Sequence, residues 1–477
     1  MSVLGSESCA FGDRKRPWGQ GPSLSGAFDS PIYFILQKRS FWSPVNPFNH
    51  KQTLIIGGGL SGLLAAWHLH RAGRRVTVWE AAETPGGWAQ TLAWPGPNGE
   101  SGWLERGPQA LRLGDDSALA RLCTALGLDL RRPGPRGPRW LGKAGRRHPS
   151  PATLGGLFRV PGMCLAEKLR LLVEPFAPGA PVEEDLHAFF ARRLGEGFAR
   201  EALPALVGGL LAAPPERMDV GALPRLQRLE ARGGLLCGGL RLGPEHTRLP
   251  RGGTGALAQA LAASLPAIEC GRRALALETL SEGRWRVHGG DRSADFDTVV
   301  LALPPAAGAG LLGAATPQAA HELAAIPGLD LRVWHSRHLM VPGWERGLGL
   351  LLHPPEGRGL LGAVSLAVDD PRGVPGLLQL RTYLGGAYPV EAELETWPGV
   401  LAELRRWLPE LGEALQVREE ACPSAFPLLE PGHRARVAHI NEGLPPGLHW
   451  LGAARFGPGV GDIAEGVEAW AKRISSF

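Results

Sequence analysis

Paired cysteines are missing from this chain: its six, Cys9, Cys123, Cys164, Cys237, Cys270 and Cys422, stand far apart with no C-x-x-C among them. That spacing excludes a zinc ribbon or a disulfide scaffold, and the expectation is buried thiols in a reducing compartment. Long apolar runs are missing too. The longest, Val299 to Ala315, is broken by Pro304-Pro305 and three glycines, and falls short of the ~20 residues a membrane-spanning helix needs. Lysine is scarce, six against 45 arginines, so the net charge of +5 rests on scattered guanidinium groups. Nucleic acid, which needs a clustered basic patch, is therefore not an expected partner, whereas anionic lipid or an acidic small molecule is. There is no G-x-S-x-G elbow, no H-E-x-x-H pair and no repeat of fixed period. Hydrolytic and metal-dependent reactions lack a signature.

What is present suits a globular protein of two or three domains: 477 residues, 44% hydrophobic and 20% charged. Residues 1–50 are polar and rich in Gly, Ser and Pro, and read as a disordered extension or an upstream mis-start ahead of a fold that starts near Lys51. Thr53 to Ile56 and Val76 to Glu80 have strand composition, with helix formers from Leu63 to Ala72 between them, so the chain opens on a βαβ unit. From about 149 to 245 the pattern turns helical. Pro181 to Leu194 shows it best, with acids in the first turn, Leu186, Phe189, Phe190 and Leu194 on one face, and Gly195 as a stop. Phe189 and Phe190 read as core. Strand patterns return between 286 and 384, and the tail reads as a strand, a glycine-rich turn and an amphipathic helix.

With 67 glycines, about one G-x-G-x-x-G string is expected by chance, and the chain holds at least three. Only Gly57-x-Gly59-x-x-Gly62 lies between a strand and a helix, and only it is followed by an acid closing the next strand, Glu80, eighteen residues past the third glycine. Glycines there permit a tight turn and close backbone approach, the helix N-terminus meets a pyrophosphate, and the carboxylate accepts ribose hydroxyls. The strings at Gly308 and Gly357 read as turns. Gly137 to Lys143 has phosphate-loop spacing, but Ala144 stands where a hydroxyl is needed and no strand pattern precedes it.

Downstream come Gly86-Gly87-Trp88, Glu105-Arg106-Gly107-Pro108 and Leu111-Arg112; later, Ala191 to Gly195, Leu249 to Gly253, Gly385-Gly386, Gly432-His433 and Gly461-Asp462-Ile463-Ala464-Glu465-Gly466. This ordered set, spanning Gln52 to Ile474, resembles the flavin amine-oxidase superfamily, and within it looks most like the protoporphyrinogen oxidase subfamily. Arg106 departs from the apolar residue usual at that point, as does Ala212 to Pro215 from a glycine-rich stretch.

The resemblance implies an α/β fold: a Rossmann-like FAD-binding domain assembled from residues 51–148, 246–330 and 426–477, a mixed-sheet substrate domain at 331–425, and a helical, membrane-facing subdomain at 149–245. It implies non-covalent FAD held by Gly57, Gly59, Leu60, Ser61, Gly62, Glu80, Gly86, Gly87, Trp88, Gly107, Pro108, Val460, Gly461, Asp462 and Ile463. It also implies a porphyrinogen substrate with molecular oxygen as acceptor, and Arg112 as the partner of a ring propionate. Coproporphyrinogen is the alternative ring, another amine-oxidase or desaturase activity of the superfamily is the alternative reaction, and a porphyrin-binding scaffold without turnover is the non-enzyme reading. The expected location is the cytoplasm, in contact with the inner membrane and with a heme-pathway enzyme. His433 has no partner in the sequence and reads as structural.

Overall fold

The computed structural model describes residues 51–133, 137–151, 154–179, 183–290, 292–313 and 315–475. The extension at 1–50 and Cys9 lie outside the described residues.

Five parallel strands form the sheet that carries the βαβ unit. β1 (Gln52–Ile56), α1 (Leu60–Arg71) and β2 (Arg75–Trp79) are followed much later by β3 (Ile268–Glu269), β4 (Thr298–Leu301) and β5 (Leu448–Trp450). Their order is β3-β2-β1-β4-β5, with Leu54 opposite both Thr77 and Val299. β1 and β4 are buried along nearly their whole length, as continuous apolar runs in a parallel sheet must be. The last helix, α2 (Val460–Ser475), buries Ile463, Ala464, Val467, Trp470 and Ala471. Those residues share one core with Leu63, Leu64 and Leu69 of α1. Segments hundreds of residues apart thus close one parallel layer around a shared core.

A seven-stranded mixed sheet stands apart from it, in the order Ala414–Pro427, Gly328–Leu339, Leu377–Gly385, Leu360–Ser365, Gly349–Leu352, Arg139–Lys143 and Arg146–Pro149. Its last two strands come from residues assigned above to the first cofactor segment. They belong here because Arg139 to Gly142 pair in parallel with Gly349 to Leu352. The same pairing settles the phosphate-loop spacing at 137–143 as one arm of a hairpin. One face of this sheet packs Leu350, Leu378 and Leu380 against Val400, Leu404 and Trp407 of the helix Trp397–Trp407. The other face carries His335, Arg337, Gln379 and Arg381, in register across two strands.

Two expectations are corrected. Gly308 and Gly310 lie inside the helix Pro305–Leu312, with Gly313 just past its end, and Gly357 ends the short helix Pro354–Gly357, so neither string is a simple turn. Among the described cysteines only Cys123 and Cys422 are buried; Cys164 and Cys270 are exposed.

The 149–245 region is helical. Asp185 caps Leu186–Leu194 by accepting from the Ala188 N–H at 2.7 Å, and Phe189 is fully buried. Arg192 and Arg193 at its other end bind Glu184 and Glu230. Glu174, also fully buried, accepts from the Leu235 and Leu236 N–H groups at the start of the helix Gly234–Leu242.

Candidate active site

The turn between β1 and α1 shows why each glycine stands where it does. Gly57 has φ +105°, and a Cβ there would meet the Ala302 carbonyl oxygen at 2.4 Å. At Gly62 a Cβ would lie 1.9 Å from the Gly57 oxygen, so helix and strand pack too closely for any side chain. Gly59 differs: its Cβ would meet only the Gly87 Cα, at 4.0 Å. The first turn of α1, containing Leu60 and Ser61, has neither an acidic residue nor a side-chain cap. An uncovered helix N-terminus with an open glycine before it fits the pyrophosphate of a dinucleotide. Glu80 closes β2 and accepts from the Gly58 N–H at 2.6 Å and the Ala82 N–H at 2.8 Å. Its carboxylate lies alongside the turn, where a ribose would reach it.

The second motif folds back onto the first. Gly86 donates to the Gly58 carbonyl at 2.8 Å, and a Cβ on Gly87, which has φ +57°, would touch the Gly59 Cα at 3.1 Å. Gly107 lies against the Trp88 backbone, with 2.3 Å between its would-be Cβ and the Trp88 oxygen. Arg106 stacks its guanidinium 4.9 Å from the Trp88 ring centre and pairs with Glu420 at 2.6 Å.

Glu105, 2% exposed, ties these loops together. It accepts from the Thr91 hydroxyl, the Thr254 N–H and the Thr254 hydroxyl at 2.7–2.9 Å, and pairs with Arg372 at 3.2 Å. The Thr254 hydroxyl also approaches the Pro108 carbonyl, at 2.9 Å. Glu105→Ala would leave these donors without their acceptor and remove one of the two carboxylates on buried Arg372, so a loss of about 3 kcal/mol is expected. The measurement is the denaturant midpoint, and it should fall without a change in secondary structure.

The final motif brings α2 to the same region. Val460, Gly461, Asp462 and Ile463 form its first turn, and a Cβ on Gly461 would lie 3.4 Å from the Arg112 carbonyl oxygen. Asp462 pairs with Arg228 at 3.2 Å, yet burial pushes its carboxyl up to about 6. A carboxyl raised above its unfolded value favours the fold most when protonated, so its contribution is present below about 4 and lost as pH rises through about 6. Asp462→Asn is therefore expected to raise the melting temperature of the flavin-free protein at pH 7.5 and to flatten its pH dependence between 4 and 6. Calorimetry at both pH values checks this. His433 is buried and donates from Nε2 to the Ala454 carbonyl at 2.5 Å, which makes it a strut for the loop ahead of α2.

Arg112 stands at the surface. Its side chain is 69% exposed, with Glu245 at 3.6 Å rather than any cavity wall around it. The cavity lies elsewhere: about 370 Å³ between the polar face of the seven-stranded sheet and the strand Trp103–Glu105. Arg139, His335, Arg372 and Arg381 line it. Burial drives the His335 imidazole down to about 3, so it is neutral at ordinary pH. Arg381 donates to the Arg106 and Gly107 carbonyls, both at 2.8 Å, which joins the cavity floor to the cofactor motif. Arg139 belongs to the segment with phosphate-loop spacing, and the sequence does not single it out. Its stem crosses Gly349, where a Cβ would come within 2.5 Å of the Arg139 Cδ.

A dinucleotide turn, a three-part parallel layer and a separate polar-faced sheet over a shared cavity define a flavoenzyme fold. The chain belongs to the flavin containing amine oxidoreductases, whose family pattern matches residues 60–461, and its cofactor is FAD. Human protoporphyrinogen oxidase is 31% identical over 384 residues, which cover 71% of this chain and 78% of that protein. Coproporphyrinogen III oxidase of Propionibacterium freudenreichii is 29% identical over 193 residues, 38% of this chain and 35% of that protein. The solved structure of cyclohexylamine oxidase from Brevibacterium oxydans shares the fold, with TM-score 0.67 at 20% identity over 90% of this chain and 99% of that one.

Proposed function

We propose that this protein oxidises protoporphyrinogen IX to protoporphyrin IX, with oxygen as the final acceptor, as a step of heme biosynthesis. The observation that carries the reading is the arginine-lined cavity joined to the cofactor motif through Arg381, in a chain similar along most of its length to protoporphyrinogen oxidases. Two-electron acceptor chemistry is what FAD supplies when bound. The chain's own residues hold and orient. Gly59 and the first turn of α1 would receive the pyrophosphate and Glu80 the ribose, with the Gly107 and Pro108 backbone on the side of the flavin.

A porphyrinogen is flat, apolar and edged by carboxylates, and needs a guanidinium to neutralise a propionate beside an apolar wall. Arg139 is the better-placed group: half-buried, in the cavity lining, with Nη1 donating to the Pro138 carbonyl at 3.0 Å. The role expected for Arg112 rests on family position alone. The test of the function is steady porphyrin fluorescence from the non-fluorescent porphyrinogen, corrected for autoxidation, with matching peroxide release. Flavin-loaded protein that yields neither would refute it.

Membrane contact belongs to the same proposal. Among the described residues no helix is long and apolar enough to cross a bilayer. The helical region nonetheless exposes Leu165, Leu172, Phe176 and Leu240, the last two 86% and 87% accessible. Buried Glu174 and Arg193 anchor the segment Leu171–Phe176 from beneath, so the apolar face is held outward. Such a face suits shallow insertion into lipid. Phe176→Glu is expected to cut co-sedimentation with anionic vesicles several-fold while leaving flavin content unchanged.

A further inference from the structure

Strand register sets three basic side chains in one row across the polar face of the seven-stranded sheet. His335 of the strand Gly328–Leu339 stands opposite Arg381 on one neighbouring strand and Arg418 on the other. Glu420, two residues past Arg418, lies on the same face. His335 is 2% exposed, and its ring lines the cavity. Its Nε2 lies 3.8 Å from Oε2 of Glu420, and neither atom has a hydrogen-bond partner among the described residues. The other oxygen of that carboxylate is held by Arg106 at 2.6 Å, whose guanidinium stacks on Trp88 of the cofactor motif. An imidazole that turns one nitrogen to a fixed carboxylate has its tautomer chosen for it: the proton sits toward the acid, and the opposite nitrogen keeps its lone pair.

Removing two electrons from a porphyrinogen breaks two bonds to hydrogen. A bridging carbon gives up a hydride to the bound flavin, and a pyrrole nitrogen gives up a proton, its N–H electron pair closing the new double bond. Both electrons leave with the hydride, and the proton needs a base. Of the acids lining the cavity, Glu105 and Asp370 are bound to Arg372, and Asp369 is exposed. Among the described residues no other histidine lines it.

We propose that His335 is the base that receives this proton, through Nδ1, and that Glu420 is the positioning residue that keeps the other ring nitrogen protonated. The inference rests on the porphyrinogen-oxidising reading and adds the path of the proton to it. Burial, with Arg381 and Arg418 beside the ring, keeps the imidazole neutral at ordinary pH, so the base form is present at the start of every step. Once the ring is charged, Glu420 balances it, while the two guanidinium groups favour release of the proton before the next step.

Flavin-loaded His335→Gln, mixed anaerobically with protoporphyrinogen, should bleach about 100-fold more slowly than wild type, at an unchanged half-saturating substrate concentration. The wild-type rate should show no acid limb between about pH 5 and 9. Added imidazoles should restore His335→Ala at rates that climb with their basicity, whereas a ring that only fills space would be replaced according to size. A His335→Gln rate within about threefold of wild type, or rescue that ignores basicity, overturns the inference and leaves the oxidase reading intact. A further readout needs no turnover: nitrogen NMR of protein carrying isotope-labelled histidine, with the His335 signal identified by its loss in His335→Gln. The Nε2–H tautomer is expected in wild type and should lose its predominance in Glu420→Gln; an Nδ1–H tautomer in wild type overturns the inference. If no porphyrinogen bleaches the wild type, the oxidase reading fails, and the tautomer alone then decides whether Glu420 sets the ring.

Discussion

Gly59→Leu should yield folded, colourless protein. Gly59 has φ −71° and ψ 176°, extended backbone open to any residue, and its Cβ direction meets nothing nearer than the Gly87 Cα at 4.0 Å. The side chain therefore fills the approach to the helix N-terminus without disturbing the protein around it, and what it displaces is the pyrophosphate. The expected result is loss of the oxidised-flavin absorption bands, with a melting temperature close to that of flavin-free wild type. Gly62→Ala is the contrasting case. Its methyl would sit 1.9 Å from the Gly57 carbonyl oxygen, so the strand and helix must part and soluble expression should collapse. A yellow Gly59→Leu protein would place the dinucleotide somewhere other than this turn.

Arg139→Ala should raise the KM for porphyrinogen by about 10-fold or more with flavin retained, since a charge-assisted pair is worth roughly 1.5–3 kcal/mol. Arg139→Lys should recover only part of this, because ammonium keeps the charge and loses the fork. Arg112→Ala provides the internal comparison. Its guanidinium is 69% exposed and 3.6 Å from Glu245, a surface pair of about 0–1 kcal/mol, so its KM should stay within about threefold of wild type. Steady-state kinetics on the three variants decide which arginine meets the propionate. A reversed order would return that role to Arg112.

Local signals in the sequence carried the cofactor half of the molecule. The glycine turn, Glu80 and the first turn of α2 are each short-range patterns, and the structure sets Glu80 against the glycine turn, its carboxylate accepting from the Gly58 N–H at 2.6 Å. The substrate half was less legible because its geometry is made by strand pairing. Arg139 reaches the cavity only through its register with Gly349, about two hundred residues away, and no local pattern encodes that partner. Arg112 shows the converse. Its strand Leu111–Leu113 alternates buried, exposed, buried, with Leu111 and Leu113 in the core and the arginine turned out, an alternation that Leu-Arg-Leu itself states. The Gly308 string reads as a turn because Pro304-Pro305 looks like a break, whereas proline at the first helical position starts a helix readily.

On the proposed function, electrons pass from a porphyrinogen to a flavin bound at the Gly57 to Gly62 turn. Anaerobic mixing of oxidised, flavin-loaded protein with protoporphyrinogen tests it most directly, with flavin absorbance and porphyrin fluorescence followed together. Porphyrinogen loses its hydrogens in three two-electron steps, so about three flavins should bleach for each porphyrin formed, and the yellow colour should return when oxygen is admitted. Porphyrin appearing while the flavin bands stay constant, or flavin remaining oxidised with no porphyrin formed, would contradict it.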